Sequence, residues 1–111
     1  MATVYKVLGQ KSPTLSSTED VLYTVNSPVT SAIGSSIIIA NRGTSVASFR
    51  VSIAVGGLTT TNKDYIYYDL PIGANDTFIA TIGITLATTD EVRVYASNTN
   101  LSFSLYGSEI S

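Results

Sequence analysis

This chain has 111 residues with no histidine, cysteine or tryptophan, and a formal net charge of -2 at neutral pH. Imidazole and thiolate are the usual proton shuttle and the main zinc and copper ligands, so histidine-based triads and thiol redox chemistry are excluded. Charged residues make up 13% of the chain, about half of the ~25% of ordinary soluble domains. With six basic and eight acidic residues, the chain lacks the electrostatic footprint of a nucleic-acid-binding protein.

Strand-length runs of β-branched and aromatic residues, separated by turn residues, follow one another along the chain. The predicted strands are Thr3–Leu8, Val21–Val25, Ser31–Ala40, Val46–Val55, Asp64–Leu70, Thr77–Leu86, Val92–Ala96 and Leu101–Tyr106. No window has apolar residues at the three- and four-residue spacing of a helix. Eight short strands at this spacing predict an all-β fold, a single antiparallel β-sandwich of jelly-roll or immunoglobulin-like type over residues 1–111.

Alternation is most regular in Val46–Val55. Its predicted inward side chains are Phe49, Val51, Ile53 and Val55. Arg50 then lies on the polar face, as Arg93 does in a later strand, which favours a solvated side chain or a cross-strand ion pair. Gly9 is expected to end the first strand, and Gly83 predicts a bulge or a close backbone approach.

Aromatic residues are concentrated in one predicted strand at Tyr65, Tyr67 and Tyr68. Alternation places Tyr65 and Tyr67 on one face and Tyr68 on the other, so some of these rings are expected to be exposed. Exposed tyrosines suit protein interfaces because a rigid ring gives contact area at low entropic cost. Cross-strand packing within the sheet explains the same pattern equally well.

The acidic residues of the second half are spread singly over strand ends and turns. They are Asp64, Asp69, Asp76, Asp90 and Glu91. Paired carboxylates could support glycoside hydrolysis or calcium binding, but single aspartates at turns more often bond to their own backbone. We therefore expect turn chemistry, no metal or other cofactor, and no enzymatic activity.

No segment of the sequence predicts export or membrane insertion. The start, Met1–Lys6, lacks the basic and apolar regions of a signal peptide. The longest apolar stretch, Ile37–Ala40, is far shorter than the ~20 residues that span a bilayer. We expect synthesis in the cytoplasm and no membrane partner.

Turn and strand motifs along the whole chain resemble those of small virion structural proteins of tailed bacteriophages, notably phages of cyanobacteria. The motifs are Ala2–Gln10, Leu22–Val25, Asn41–Gly43, Phe49–Val51, Tyr67–Asp69, Ala74–Thr77, Gly83–Leu86 and Leu101–Ile110. A lone sandwich of this size is similar to head decoration (cement) proteins, which clamp capsid shells, commonly as trimers. The resemblance implies a location on the outer surface of the head and the phage major capsid protein as partner.

Two other functions remain open at this point. A tail or baseplate subunit fits the same resemblance, and a glycan-binding module on the virion would use exposed tyrosines. The low charge content predicts a homo-oligomer, with a trimer matching a three-fold capsid position. The candidate interface residues are Thr3 and Tyr5 in the first strand, and Tyr65, Tyr67 and Tyr68 in the aromatic strand.

Overall fold

The computed structural model describes residues 2–111, which form eight strands in two four-stranded antiparallel sheets. The strands are β1 (Thr3–Lys11), β2 (Thr18–Thr24), β3 (Ser31–Asn41), β4 (Ala47–Ala54), β5 (Tyr65–Ile72), β6 (Thr77–Ala87), β7 (Glu91–Ala96) and β8 (Leu101–Ile110). Within residues 2–111, helix occurs only as two 3-10 turns, Val55–Gly57 and Asn62–Asp64. The predicted all-β sandwich is confirmed. None of the helices in this range has the length and apolar character needed to cross a membrane.

The strand order identifies the sandwich as a jelly roll. The front sheet has the order β1-β8-β3-β6 and the back sheet the order β2-β7-β4-β5. First and last strands pair, then second and seventh, third and sixth, fourth and fifth. Such nesting is the result of rolling up one long hairpin, as in a double Greek-key jelly roll. The immunoglobulin-like alternative is wrong, because that fold places its first two strands in one sheet, and here they lie in different sheets.

One apolar core fills the space between the sheets. Its largest fully buried side chains are Phe49, Phe103, Ile37, Ile39, Leu101, Leu105, Val25, Val51, Val92 and Val94. Inward side chains alternate with outward ones, as the pleat requires. In β8, for example, the buried Leu101, Phe103 and Leu105 alternate with serines. No buried side-chain nitrogen or oxygen among the described residues lacks a hydrogen-bond partner.

Strand β1 does not end at Gly9, as the sequence suggested, but continues to Lys11. A bulge between Val7 and Gly9 shifts its register against β8. At Gly9 the two sheets approach so closely that a Cβ atom would collide with the carbonyl oxygen of Leu22 in β2. Glycine is therefore needed here for a close contact between the sheets, and the strand does not have to stop.

The predicted alternation of β4 is correct at Phe49, Val51 and Ile53 and fails only at Val55. Ile53 lies opposite the buried Val92 and packs against the core, and Ser52 lies on the predicted outer face opposite Arg93, although it is buried there. Val55 lies beyond the strand and is exposed. Two register shifts against β5 flank Val51, but the extra residues belong to β5, and the pairing of β4 with β7 is regular from Phe49 to Ala54.

Bulges change the faces of β5. Tyr67 lies opposite Val51, whereas Tyr65 lies opposite Ser52, so two residues of β5 correspond to one of β4. The prediction that Tyr65 and Tyr67 share a face is wrong for this reason. Strand β5 also runs through Pro71 to Ile72, which is possible because it is an edge strand.

Candidate functional site

The strand residues that form the outer face of the front sheet are all uncharged within the described part of the chain. Residues opposite one another in an antiparallel pair share a face, so the register defines this surface. Its members are Thr3, Tyr5, Val7, Gln10, Ser31, Ile33, Ser36, Ile38, Ala40, Thr77, Ile79, Thr81, Thr85, Ala87, Ser102, Ser104, Tyr106, Ser108 and Ile110. We call this surface the neutral face. Arg42 reaches its far end, where its Nε donates to the Ser102 hydroxyl at 2.8 Å.

Large apolar side chains stand exposed on both margins of the neutral face. Tyr5 on edge strand β1 is 84% exposed, and Ile79 on edge strand β6 is 67% exposed. Val7 and Ile33 add further exposed apolar area. The centres of protein interfaces are depleted in charge and enriched in aromatic residues, so the neutral face has the composition of a contact surface.

The outer face of the back sheet has the opposite character and is built around Arg50. The Arg50 guanidinium donates to both carboxylate oxygens of Asp69, at 2.7 and 3.3 Å. Its central carbon lies 4.2 Å from the ring centroids of both Tyr68 and Tyr95. Asp69 reaches this position from a left-handed backbone conformation with φ of 51°, which aspartate tolerates better than most residues. The hydrogen bond that Arg50 donates to Asp69 raises the pKa of Arg50 further above its ordinary range.

A second arginine on this face, Arg93, fixes the loop that follows β4. It donates to the carbonyl oxygens of Leu58 and Gly57 at 2.8 and 3.0 Å, and it pairs with Glu91 at 2.9 Å. Asp90 accepts a hydrogen bond from the Gly56 amide at 2.8 Å. The loop is thus held by side chains, while its Leu58 side chain remains 72% exposed. A hollow of about 340 Å³ lies beside it, lined in part by Leu58.

The predicted turn role of the aspartates is confirmed where they follow or precede strands. Asp64 accepts from the Thr61 amide, Asp76 from the Thr77 amide, and Asp90 also from the Ala87 amide, at 2.8 to 2.9 Å. Within residues 2–111, no group of three or more potential metal-ligating side chains is close enough to hold an ion. These carboxylates stabilise turns.

Glu109 links three strands at the end of the sandwich. It accepts a hydrogen bond of 2.6 Å from the Tyr23 hydroxyl of β2 and lies 3.3 Å from the Lys6 ammonium of β1. The hydrogen bond from Tyr23 lowers the pKa of Glu109, because it stabilises the ionised carboxylate. Burial, followed by the bond to Glu109, raises the pKa of Tyr23.

The five predicted interface residues fall into three different environments. Thr3 and Tyr5 are exposed on the neutral face. Tyr67 is intramolecular, because its ring packs edge-on against two core phenylalanines at centroid distances of 6.1 and 5.3 Å. Tyr65 is half-buried and meets Tyr68 at 4.8 Å, and Tyr68 is 59% exposed on the back sheet.

The structure does not bring the two predicted contact regions together. Strand β1 is an edge of the front sheet, next to β2 of the other sheet, whereas β5 is the opposite edge of the back sheet. Thr3 and Tyr5 therefore form a surface separate from that of Tyr68. Sequence reasoning missed the second margin of the neutral face, at Ile79. The alternation of threonine and isoleucine in β6 is the signal that points to it.

No protein-family model matches this chain, and no curated protein does either. Solved particles of infectious bursal disease virus contain a similar sandwich. The match with the protein of the T13 viral particle covers 98% of this chain, with a TM-score of 0.58 and 12% identity. For the VP2 subviral particle the match covers 98% of this chain with a TM-score of 0.56 and 11% identity. For the Gx strain it covers 97% with a TM-score of 0.54 and 12% identity. This chain spans 30–32% of the length of those chains. At this identity the likeness concerns the fold.

Proposed function

We propose that this protein is a non-enzymatic structural component of a tailed phage particle. The observation that carries the proposal is the neutral face, with Tyr5 and Ile79 exposed at its margins. A surface built from uncharged residues can be buried against another protein with little of the desolvation cost of ionised groups. The jelly-roll order of the strands adds support, because this fold recurs in viral capsid domains. So does the structural likeness to proteins of viral particles.

The specific role that we propose is decoration of the head. In this role the protein binds the outer surface of the shell through the neutral face, contacts the major capsid protein, and assembles as a trimer. A protein that binds the assembled lattice and not the dissociated subunits stabilises the lattice by mass action. At a free protein concentration one hundred times the dissociation constant, binding stabilises the lattice by about 2.7 kcal/mol per site.

Depleted particles test this role. Heads lacking the protein should assemble and then release DNA at a lower temperature or internal pressure than complete heads. Adding the purified protein back should restore the release temperature. Equal release temperatures with and without bound protein would refute the decoration role and favour the tail or baseplate alternative.

Variants on the two sheet faces show which surface binds the shell. Tyr5→Ser removes an exposed ring from the neutral face, and we expect it to lower occupancy on depleted heads by at least about tenfold. Tyr68→Ser removes a ring from the back sheet and is the matched control. Normal occupancy of Tyr5→Ser together with reduced occupancy of Tyr68→Ser would contradict binding through the neutral face.

The glycan-binding alternative receives less support from the geometry. The Arg50 guanidinium lies over the Tyr68 ring, and the Tyr65 ring packs against the same tyrosine. A sugar that stacks on the ring face of Tyr68 covered by Arg50 would have to displace the guanidinium. Binding of the isolated protein to a glycan array, lost in Tyr68→Ser, would revive this alternative.

A further inference from the structure

The front sheet has two edge strands whose unpaired backbone groups can be located from its hydrogen bonds. In antiparallel sheets, successive residues point their N–H and C=O groups alternately to one neighbour and to the other. One established hydrogen-bonded pair therefore fixes the direction of each backbone group along a regular segment of the strand.

On β1, the pair is Ala2 and Ser111. The Ala2 amide donates to the Ser111 carbonyl at 2.8 Å, and the Ser111 amide donates to the Ala2 carbonyl at 3.0 Å. Alternation then directs the backbone groups of Thr3, Tyr5 and Val7 away from β8, out of the sheet. Their side chains lie on the neutral face.

On β6, the corresponding bond runs from the Asn41 amide of β3 to the Asp76 carbonyl at 2.9 Å. Alternation directs the N–H and C=O groups of Ile79 and Thr81 out of the sheet. The Thr77 carbonyl also points outward, but the Thr77 amide is already bonded to the Asp76 carboxylate at 2.8 Å. The side chains of these three residues also lie on the neutral face.

The edges of the back sheet are interrupted along their length, whereas the bulge of β1 comes only after Val7 and its Lys6 pairs with Glu109 of β8. Strand β5 contains Pro71, which lacks an N–H, and a left-handed residue at Asp69. Strand β2 has a bulge between Val21 and Tyr23 and carries the charged Glu19. Bulges, prolines and charges are the usual protection of sheet edges against pairing with another chain. Strand β6 has neither proline nor charge along its 11 residues.

We propose that β1 of one copy pairs with β6 of a second copy, so that the front sheets join into one continuous sheet. The three antiparallel pairings of the front sheet make β1 antiparallel to β6, so the added strand continues the antiparallel order. Tyr5 then lies opposite Ile79 of the second copy, and Thr3 lies opposite its Thr81. Each of these pairs exchanges two backbone hydrogen bonds, and the Val7 amide donates to the Thr77 carbonyl.

The two ends of this contact match in length, direction and chemistry. Strands β1 and β6 each contribute a short regular segment whose outward-directed residues place their side chains on the neutral face. The central residues of the two segments, Tyr5 and Ile79, are the most exposed apolar side chains of that face. Pairing of β1 with a second β1 would leave both β6 edges open. The β1–β6 contact uses both edges of every copy when a ring closes, which is how cyclic oligomers avoid unsatisfied surfaces. This inference rests only on the proposed self-association and not on attachment to a virion.

Disulfide trapping tests the contact in a protein without native cysteines. The double variant Thr3→Cys/Thr81→Cys should form covalent oligomers on oxidation, because opposed residues lie within the ~4.4–6.8 Å Cα separation of a disulfide. The two positions of one copy are separated by at least the four-strand width of the sheet, about 14 Å, so an internal bridge cannot form. Each single variant should remain uncrosslinked. Thr3→Cys/Thr85→Cys is the matched control, since Thr85 is exposed on the same face of the same strand but four residues away.

Association measurements provide the second arm. Ile79→Lys places a charge at the centre of the contact and should raise the dissociation constant between copies at least about tenfold, while Thr85→Lys should leave it unchanged. Far-ultraviolet circular dichroism checks that both variants keep the β fold. Crosslinking no stronger than in the Thr85 control, or wild-type association of folded Ile79→Lys, overturns the edge contact. Loss of head binding with intact crosslinking would instead overturn the decoration role alone.

Discussion

The aromatic core offers a stability prediction with an internal control. Phe49 and Phe103 are both completely buried, but their neighbours differ. Phe49 meets three aromatic rings, Tyr67, Phe78 and Phe103, at centroid distances of 6.1, 5.4 and 6.3 Å. Phe103 meets only Phe49 within the aromatic contacts of the described residues. Replacing either phenylalanine with leucine removes similar buried area, so the difference between the two variants reports on the extra ring contacts.

The expected difference follows from the value of one aromatic pair, about 0.5–1.5 kcal/mol beyond its area burial. Two additional pairs make Phe49→Leu less stable than Phe103→Leu by about 1–3 kcal/mol. Each kcal/mol corresponds to roughly 4 °C in the melting temperature of a domain of this size. Both variants should still fold, since domains are typically stable by about 5–15 kcal/mol.

Urea denaturation at one fixed protein concentration measures both free energies of unfolding. Equal m-values would show that the unfolding transitions expose similar surface and can be compared. A difference below about 0.5 kcal/mol, the usual error of additivity, would refute the idea that ring contacts around Phe49 contribute separately from burial.

Three further predictions concern the polar contacts. Asp69→Asn should lower the free energy of unfolding by only about 0.2–1 kcal/mol, because the ion pair with Arg50 is partly exposed. Asp69→Ala should lower it more, since alanine disfavours a positive φ. Thermal denaturation distinguishes the two variants, and equal losses of stability would contradict the backbone argument. Because the pKa of Glu109 is lowered in the folded protein, its contribution to stability is present above the ordinary glutamate pKa of about 4.3 and is lost as pH falls through the pKa of the folded state. Glu109→Gln should therefore make stability less dependent on pH on the acid side. An acid transition unchanged from that of the wild type would count against this role of Glu109. Arg93→Ala should speed amide hydrogen exchange around Leu58, and unchanged exchange would show that other contacts hold the loop.

The strands could be predicted from sequence, but several faces could not. In β4 the period of two placed Phe49 and Val51 correctly, because both lie in a regular segment. It failed in β5 at Tyr65, because bulges in that strand shift the following side chains to the opposite face. Nothing local in the sequence marks those bulges, since they depend on which strand lies alongside.

The candidate surface was foreseen only in part. Low charge content predicted a contact surface, and Thr3 and Tyr5 lie on it. That the outer face of the front sheet is built from uncharged residues depends on strand order, which pairs β1 with β8 at the far end of the chain. For the same reason Tyr67 could not be distinguished from an exposed tyrosine: its partner Phe78 belongs to β6, in the opposite sheet.

Nested strand pairing also determines the order in which the chain can fold. The loop that closes the β4–β5 pair, from Ala54 to Tyr65, has about ten residues, whereas closing β1 against β8 spans about ninety. In an otherwise unfolded chain the longer closure costs about 2 kcal/mol more in entropy. The inner pairs should therefore form first and shorten the remaining loop, with β1 docking last. Folding is slow in folds dominated by distant contacts, so the β8 edge stays unpaired longer than the other edges. During synthesis at high concentration, other chains could contact that edge before β1 pairs with it.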